Sequence, residues 1–184
     1  MKKWDILKRK EVYKNKYFSV VEEEFRLSDG KTSKYYLVKS CDFVSVVPVE
    51  GEHIYMEKMD RYTLRRRIIE IPMGGIEEGE TPLAAAKREL KEEMGITAKR
   101  FRKLGFFDAS KGHSGHKGVL FVAEELTLGE PEPDLVEKES NIEVIKLKLR
   151  DVPDLIRQGK ITDSHTIASF YLYMLHCKSP NKQV

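Results

Sequence analysis

The chain reads as an α/β fold, a mixed β-sheet sandwiched between α-helices (an α/β/α sandwich), preceded by a small N-terminal antiparallel β-sheet. Three observations predict it. Strand-length apolar segments and helical segments are mixed without the regular strand–helix–strand alternation that builds a wholly parallel sheet. Asp29-Gly30 joins two aromatic-rich segments near the N-terminus, a strong hairpin signal. Gly74-Gly75 leads into one sharply bounded helix.

In chain order, residues 11–40 read as antiparallel strands. Tyr17–Leu27 is rich in aromatic and β-branched residues, and Thr32–Lys39 is its return across the turn. This segment, taken as a first domain over 1–41, has little core of its own. It is expected to pack on something else, such as a second copy of the chain. Residues 42–184 form the main domain. Phe43–Val49 is continuously apolar, as a strand buried on both faces is, and His53–Met59 alternates as its partner across Gly51. Ile68–Ile71 is a short strand that stops at Pro72. Further strands are expected at about Arg100–Phe107, Gly118–Leu126 and Asn141–Leu149. Two helices close the chain, Val152–Gln158 and Ser164–Cys177, the second with Ile167, Phe170, Met174 and Leu175 as its core stripe.

Composition excludes several classes. The 184 residues are 40% hydrophobic and 34% charged, which is ordinary for a globular chain. A net charge of +3 does not by itself call for nucleic acid. Basic runs such as MKKWDILKRK and Arg65–Arg67 read first as solvated faces. No apolar run approaches the roughly 20 residues of a spanning helix, and no apolar stretch follows the N-terminal lysines, so neither a membrane span nor a signal peptide is expected. Cys41 and Cys177 lack metal or redox spacing and read as buried free thiols, which suits a reducing cytoplasm. His113 and His116 in SKGHSGHKG lack a third ligand at zinc spacing, and their Gly-rich loop reads as a mobile lid.

The helix carries the chemistry. Thr81 is a good N-cap, Pro82 suits the first helical position, and Gly95 suits the residue after the last turn, so the helix should run Pro82–Met94. At 100° per residue, Leu83, Ala86, Leu90 and Met94 form an apolar stripe. Glu89, Glu92 and Glu93 fall together on a neighbouring face, with Arg88 placed to pair with Glu92. Acids near a helix C-terminus oppose the macrodipole, and like charges one turn apart cost roughly 0.2–0.5 kcal/mol per pair. A hard divalent cation removes the objection, because it requires carboxylate oxygens. Taken alone, a polar helix face accounts for KRELKEE equally well.

The wider pattern breaks that tie. Gly74, Glu80, Arg88-Glu89-Leu90, Glu92-Glu93 and Gly95-Ile96 resemble the Nudix box without a gap or substitution. Leaving aside the apolar positions Leu90 and Ile96, seven fixed residues, each recurring at roughly 7% of positions, have a joint chance on the order of 10⁻⁸ per window. The resemblance continues over nearly the whole chain and is to the ADP-ribose pyrophosphatase and nucleoside diphosphate sugar hydrolase branch. Trp4 followed by strands, Arg61 nine residues before Glu70 in IIEIPMGG, and LIRQGKITDSHTIASF carry it.

The resemblance implies a Nudix pyrophosphohydrolase using Mg²⁺, or Mn²⁺, on a nucleotide-sugar substrate. The substrate it implies first is ADP-ribose, split to AMP and ribose 5-phosphate. GDP-mannose or a broader set of nucleotide sugars is the alternative within the branch, and a non-catalytic nucleotide-binding regulator is another. Glu89 and Glu93 are implied as metal ligands, with Glu92 a further ligand or orienter and the Met73 carbonyl a backbone ligand. Arg88 is implied to hold the acids in place, and Glu80 to be structural. Arg61, Glu70, Arg65 and Gly74 fall near the substrate. Glu139 is implied as the base or an extra ligand, with Glu137 next, on the loop LVEKESN. A homodimer through the N-terminal sheet is implied, and the ADP-ribose-like flanks argue against an RNA substrate. The branch's Gln-Tyr before the arginine is Met59-Asp60 here, and its Ser-Pro-Gly is Ser110-Lys111-Gly112, which leaves the preferred base and sugar open.

Overall fold

The structure, a computed structural model, describes residues 4–132 and 138–177. It divides into two compact units, Met1–Asp42 with Asp108–Lys117, and Phe43–Phe107 with Gly118–Val184. Asp108–Lys117, which the sequence reading assigned to the main domain, therefore groups with the first unit. Its backbone is the reason: Val38 N donates to the His113 carbonyl at 2.7 Å, Val38 and Ser114 form a parallel bridge, and the Tyr35 hydroxyl donates to the Gly112 carbonyl. The histidine loop, expected as a mobile lid, is pinned along a strand edge.

The first unit is a three-stranded antiparallel sheet, β1 (Asp5–Lys14), β2 (Ser19–Arg26) and β3 (Thr32–Lys39), in the order β1-β2-β3. Gly30 turns β2 into β3 at φ +87°, and the Asp29 side chain accepts from Lys31 N at 3.0 Å. β1 starts at Asp5, before the expected Glu11, because charge pairing supports a lysine-rich strand. Arg9 donates to Glu23 at 2.7 Å and Arg26 donates to Asp5 at 3.2 Å. Tyr17 and Phe18, just ahead of β2, are exposed.

The second unit is the sandwich. Its sheet has the order β10-β5-β4-β9-β8, with β6 on β5 and β7 on β4. The strands are β4 (Phe43–Glu50), β5 (His53–Arg61), β6 (Arg66–Glu70), β7 (Met73–Gly75), β8 (Ile96–Asp108), β9 (Lys117–Leu128) and β10 (Glu143–Lys148). β4 runs parallel to β9 and antiparallel to β5 and β7, so the sheet is mixed. Alternation along β4 and β9 explains the two helical layers. Val44, Val46, Val119, Phe121 and Ala123 pack against α1 (Pro82–Met94) through Ala85, Ala86, Leu90 and Met94. Val47, Val49, Leu120 and Val122 pack on the other cluster, with Val152 and Leu155 of α2 (Val152–Arg157) and Phe170 and Tyr173 of α3 (Ser164–Cys177). Burying Leu90 and Met94 contributes about 1.5–3 kcal/mol each. Ala85 takes the place expected for Leu83, which is 40% exposed, and Leu175 of α3 is likewise exposed. Both cysteines are exposed rather than buried. Among the described residues no helix is long and apolar enough to cross a membrane.

α1 has the expected bounds and caps. The Thr81 side chain accepts from Ala84 N, and Gly95 leaves the helix at φ +66°. A Cβ on Gly95 would lie 2.5 Å from the Gly129 oxygen and the Glu130 carbonyl carbon and 2.6 Å from Pro131 N, all backbone. Strained φ and an immovable neighbour add, so Gly95→Ala will destabilise the protein by about 2–4 kcal/mol. Urea unfolding checks this, and an unchanged midpoint would contradict it.

Candidate active site

α1 carries its acids on the edge of the face that packs on the sheet. Glu89 and Glu93 are buried while Glu92 is half-exposed. Met73 N, on the short β7, donates to Glu93 at 3.0 Å. Gly74 lies flat against Glu89, because a Cβ there would fall 2.0 Å from the Glu89 carboxyl carbon. The Gly74-Gly75 segment is therefore a strand that presses its backbone on the acidic face of the helix. Met73 meets Glu93 through its amide.

Arg88 ties these acids together. Its guanidinium donates to Glu89 at 2.7 Å, to Glu92 at 3.1 Å, to both Glu80 oxygens at 3.1 and 3.0 Å and to the Gly75 carbonyl at 2.9 Å. Its bonds to Glu80, with those to Glu89 and Glu92, raise an already high pKa, so it is a permanent cation. Glu80 also accepts from Glu77 N at 3.1 Å, which closes the loop ahead of α1.

A second cluster adjoins the first. Arg61 donates to Glu70 at 2.6 Å across the β5–β6 pair. Burial works against the Arg61 charge, but Glu70, Glu93 and Glu57 outweigh it. Burial also pushes the Glu70 carboxyl above its ordinary range, against the pull of Arg61. Glu57 is not singled out by the sequence, where it is one of several polar residues in an alternating strand. Arg61 and Arg65 line an open cleft of about 420 Å³ with Asp60, Tyr62, Arg66 and Glu139. Arg65 sits at φ +53°, its guanidinium 3.9 Å from the centre of the Tyr62 ring. Glu139 is exposed on that cleft, and Asp60 N donates to the neighbouring Ser140 carbonyl at 2.8 Å. Glu137 lies outside the described residues. Arg66 and Arg67, read as solvated, are bonded: Arg66 to Thr162 at 2.8 Å, and Arg67 to Glu143 at 3.0 Å and the Lys58 carbonyl at 3.1 Å.

His165 and Asp163 were also missed. His165 packs edge-on against Phe43 at 5.1 Å and beside Phe107 at 5.6 Å, contacts that no local pattern encodes. Asp163 caps α3 by accepting from Thr166 N at 2.7 Å, and Ile71 N donates to the Thr166 hydroxyl at 3.2 Å, just ahead of Met73. Burial opposes the Asp163 charge, but His165 and Thr166 prevail and hold its carboxyl down to about 2, below its ordinary 3.8. A depressed folded-state pKa stabilises above the unfolded value and is lost as pH falls through the folded one. Stability will therefore drop as pH falls from about 4 towards 2, and Asp163→Asn will flatten that part of the curve. Chemical unfolding at stepped pH checks it; parallel curves for the two proteins would contradict it.

The donor set can be tested against a cation. Glu57, Glu70, Glu89 and Glu93 are buried carboxylates, and the facing guanidiniums are Arg61 and Arg88, the latter shared with Glu80 and Glu92. Among the described residues of this set all side-chain donors to a cation are hard carboxylate oxygens, which fits a hard divalent ion. Among the described residues no three His, Cys, Asp or Glu side chains form a ready cage. An ion held by one or two carboxylates and completed by substrate phosphates and water needs none.

The NUDIX domain family matches residues 43–170, and the nucleoside diphosphate sugar hydrolase N-terminal domain matches residues 4–38. The chain belongs to the Nudix family and is a Nudix pyrophosphohydrolase, a class that generally works with a divalent metal. It is 36% identical over 159 residues to an ADP-ribose pyrophosphatase of Bacillus subtilis, covering 86% of this chain and 85% of that protein. It is 31% identical over 162 residues to a methanol dehydrogenase activator of Bacillus methanolicus, covering 88% and 87%. A crystal structure of an ADP compounds hydrolase matches it with a TM-score of 0.83 over 100% of this chain and 98% of that one, and at 22% identity this speaks to the fold alone.

Proposed function

We propose that the protein hydrolyses the diphosphate linkage of a nucleoside diphosphate sugar, ADP-ribose foremost, with Mg²⁺ as the working ion and Mn²⁺ as a substitute. The observation that carries this reading is the pair of buried acids one turn apart, Glu89 against the Gly74 backbone and Glu93 on the Met73 amide. Similarity to the Bacillus subtilis ADP-ribose pyrophosphatase supports the substrate.

Glu89 and Glu93 would hold the ion, with Glu92 and the Met73 carbonyl as further ligands. The chemistry a bound ion would supply there is neutralisation of phosphate charge and a lowered pKa for a water. Arg88 keeps the acids in place. Arg61 and Arg65 bind phosphate or the terminal sugar from the cleft, a task that suits the guanidinium fork. Glu139, on the same cleft, accepts the proton of the attacking water. The water oxygen bonds to phosphorus, the bridging P–O bond breaks, and AMP and ribose 5-phosphate leave. The exposed Ile6, Leu7, Val12 and Tyr13 of β1 support a homodimer through the N-terminal sheet. Two free thiols suit work in the cytoplasm.

The test is product release from a panel of ADP-, GDP- and UDP-sugars with Mg²⁺. ADP-ribose turnover well above the rest is expected, whereas equal turnover of all would mean a broad nucleotide-sugar hydrolase. Glu139→Gln should lower kcat by roughly 10²–10⁴ with the fold intact. A wild-type kcat would remove Glu139 from the reaction.

A further inference from the structure

Glu57 sits in the middle of β5, in register with Val144 of β10 on one side and Glu70 of β6 on the other. It is 0% exposed, with both carboxylate oxygens buried. Burial of a carboxylate is costly unless its charge is answered. Register places Glu70 directly across from it, 2% exposed, and like charges facing each other on an antiparallel pair repel. Residues 57, 59 and 61 share a face of the strand. Arg61 on that face bonds to Glu70 and also feels the charges of Glu57 and Glu93. Arg61 is thus shared among three carboxylates. Packing alone would be served at lower cost by valine, so the charge itself has a use.

We propose that Glu57 is a positioning residue of the active site: with Glu70 it holds Arg61 against the sheet beside Glu93, and its charge deepens the negative potential that attracts the divalent ion. The inference rests on the metal-dependent reading above. It makes Glu57 a residue kept for binding at the expense of the metal-free protein.

The experiment measures thermal midpoint and Mn²⁺ affinity, by calorimetry with the metal alone, on the full chain. The proteins compared are wild type, Glu57→Gln, Glu57→Val, Glu57→Asp and Glu93→Gln. Removing one buried charge near a divalent ion should weaken Mn²⁺ binding on the order of tenfold in Glu57→Gln and Glu57→Val. Their metal-free midpoints should equal or exceed wild type, and Glu57→Asp, which keeps the charge, should recover most of the affinity. Wild-type Mn²⁺ affinity in Glu57→Gln, with binding lost in Glu93→Gln, would overturn the role of Glu57 and leave the metal reading standing. No Mn²⁺ binding by the wild-type protein would overturn the metal reading and this inference with it. Glu57→Gln is nearly isosteric, so the test holds even if Glu57→Val fails to fold.

Discussion

Glu93→Gln will lower kcat by roughly 10³-fold or more while leaving the fold in place, because the charge that holds the ion accounts for several kcal/mol of transition-state stabilisation. The substitution separates two roles of one side chain. Glutamine keeps a carbonyl oxygen that can still accept from Met73 N, the 3.0 Å bond that joins α1 to β7. It also removes a buried charge that faces Glu70 and Glu57 around Arg61. The thermal midpoint should therefore hold or rise as activity disappears. Steady-state AMP release at saturating Mg²⁺, with circular dichroism as the folding control, decides it. A variant with wild-type kcat would show that Glu93 serves the loop and not the reaction.

That separation shows why some of the site was legible in the sequence and some was not. α1 could be bounded to the residue because its signals are local: Thr81, Pro82 and Gly95 act on the backbone within one turn of where they stand. The acidic face followed from 100° geometry for the same reason. β1 was shortened because DILKRKEVYK lacks the alternation of a half-buried strand, and its support comes from Arg9–Glu23 and Asp5–Arg26 pairs formed across the sheet. β7 carries no strand signal because glycine favours turns, whereas here Gly74 lets the backbone lie against Glu89. Glu57 was passed over because its partner is set by register. Nothing near position 57 says that Glu70 will lie opposite. His165 is the same case, placed by Phe43 and Phe107 from distant strands.

Gly74→Ala is the sharpest test of that backbone contact. The added Cβ would stand 2.0 Å from the Glu89 Cδ and Oε1 atoms and 2.4 Å from Oε2, so one of the two must move. Glu89 has little room, being 5% exposed and bonded to Arg88 at 2.7 Å. Moving the strand instead would carry Met73 and its bond to Glu93 with it. Either shift displaces a proposed ligand by about an ångström, a misplacement that can cost on the order of 10²-fold in rate. The overpacking itself should cost about 1–3 kcal/mol of stability. The double variant Gly74→Ala/Glu89→Ala distinguishes the causes. Removing the carboxylate gives the methyl group space, so stability should return towards that of Glu89→Ala alone while activity stays lost, a coupling the double-mutant cycle reads directly. Additive losses in the cycle would show that Gly74 is required for backbone freedom. Wild-type turnover and midpoint in Gly74→Ala would show that Glu89 does not need the position it occupies, and the case for a ligand held rigidly by the Gly74 backbone would fail.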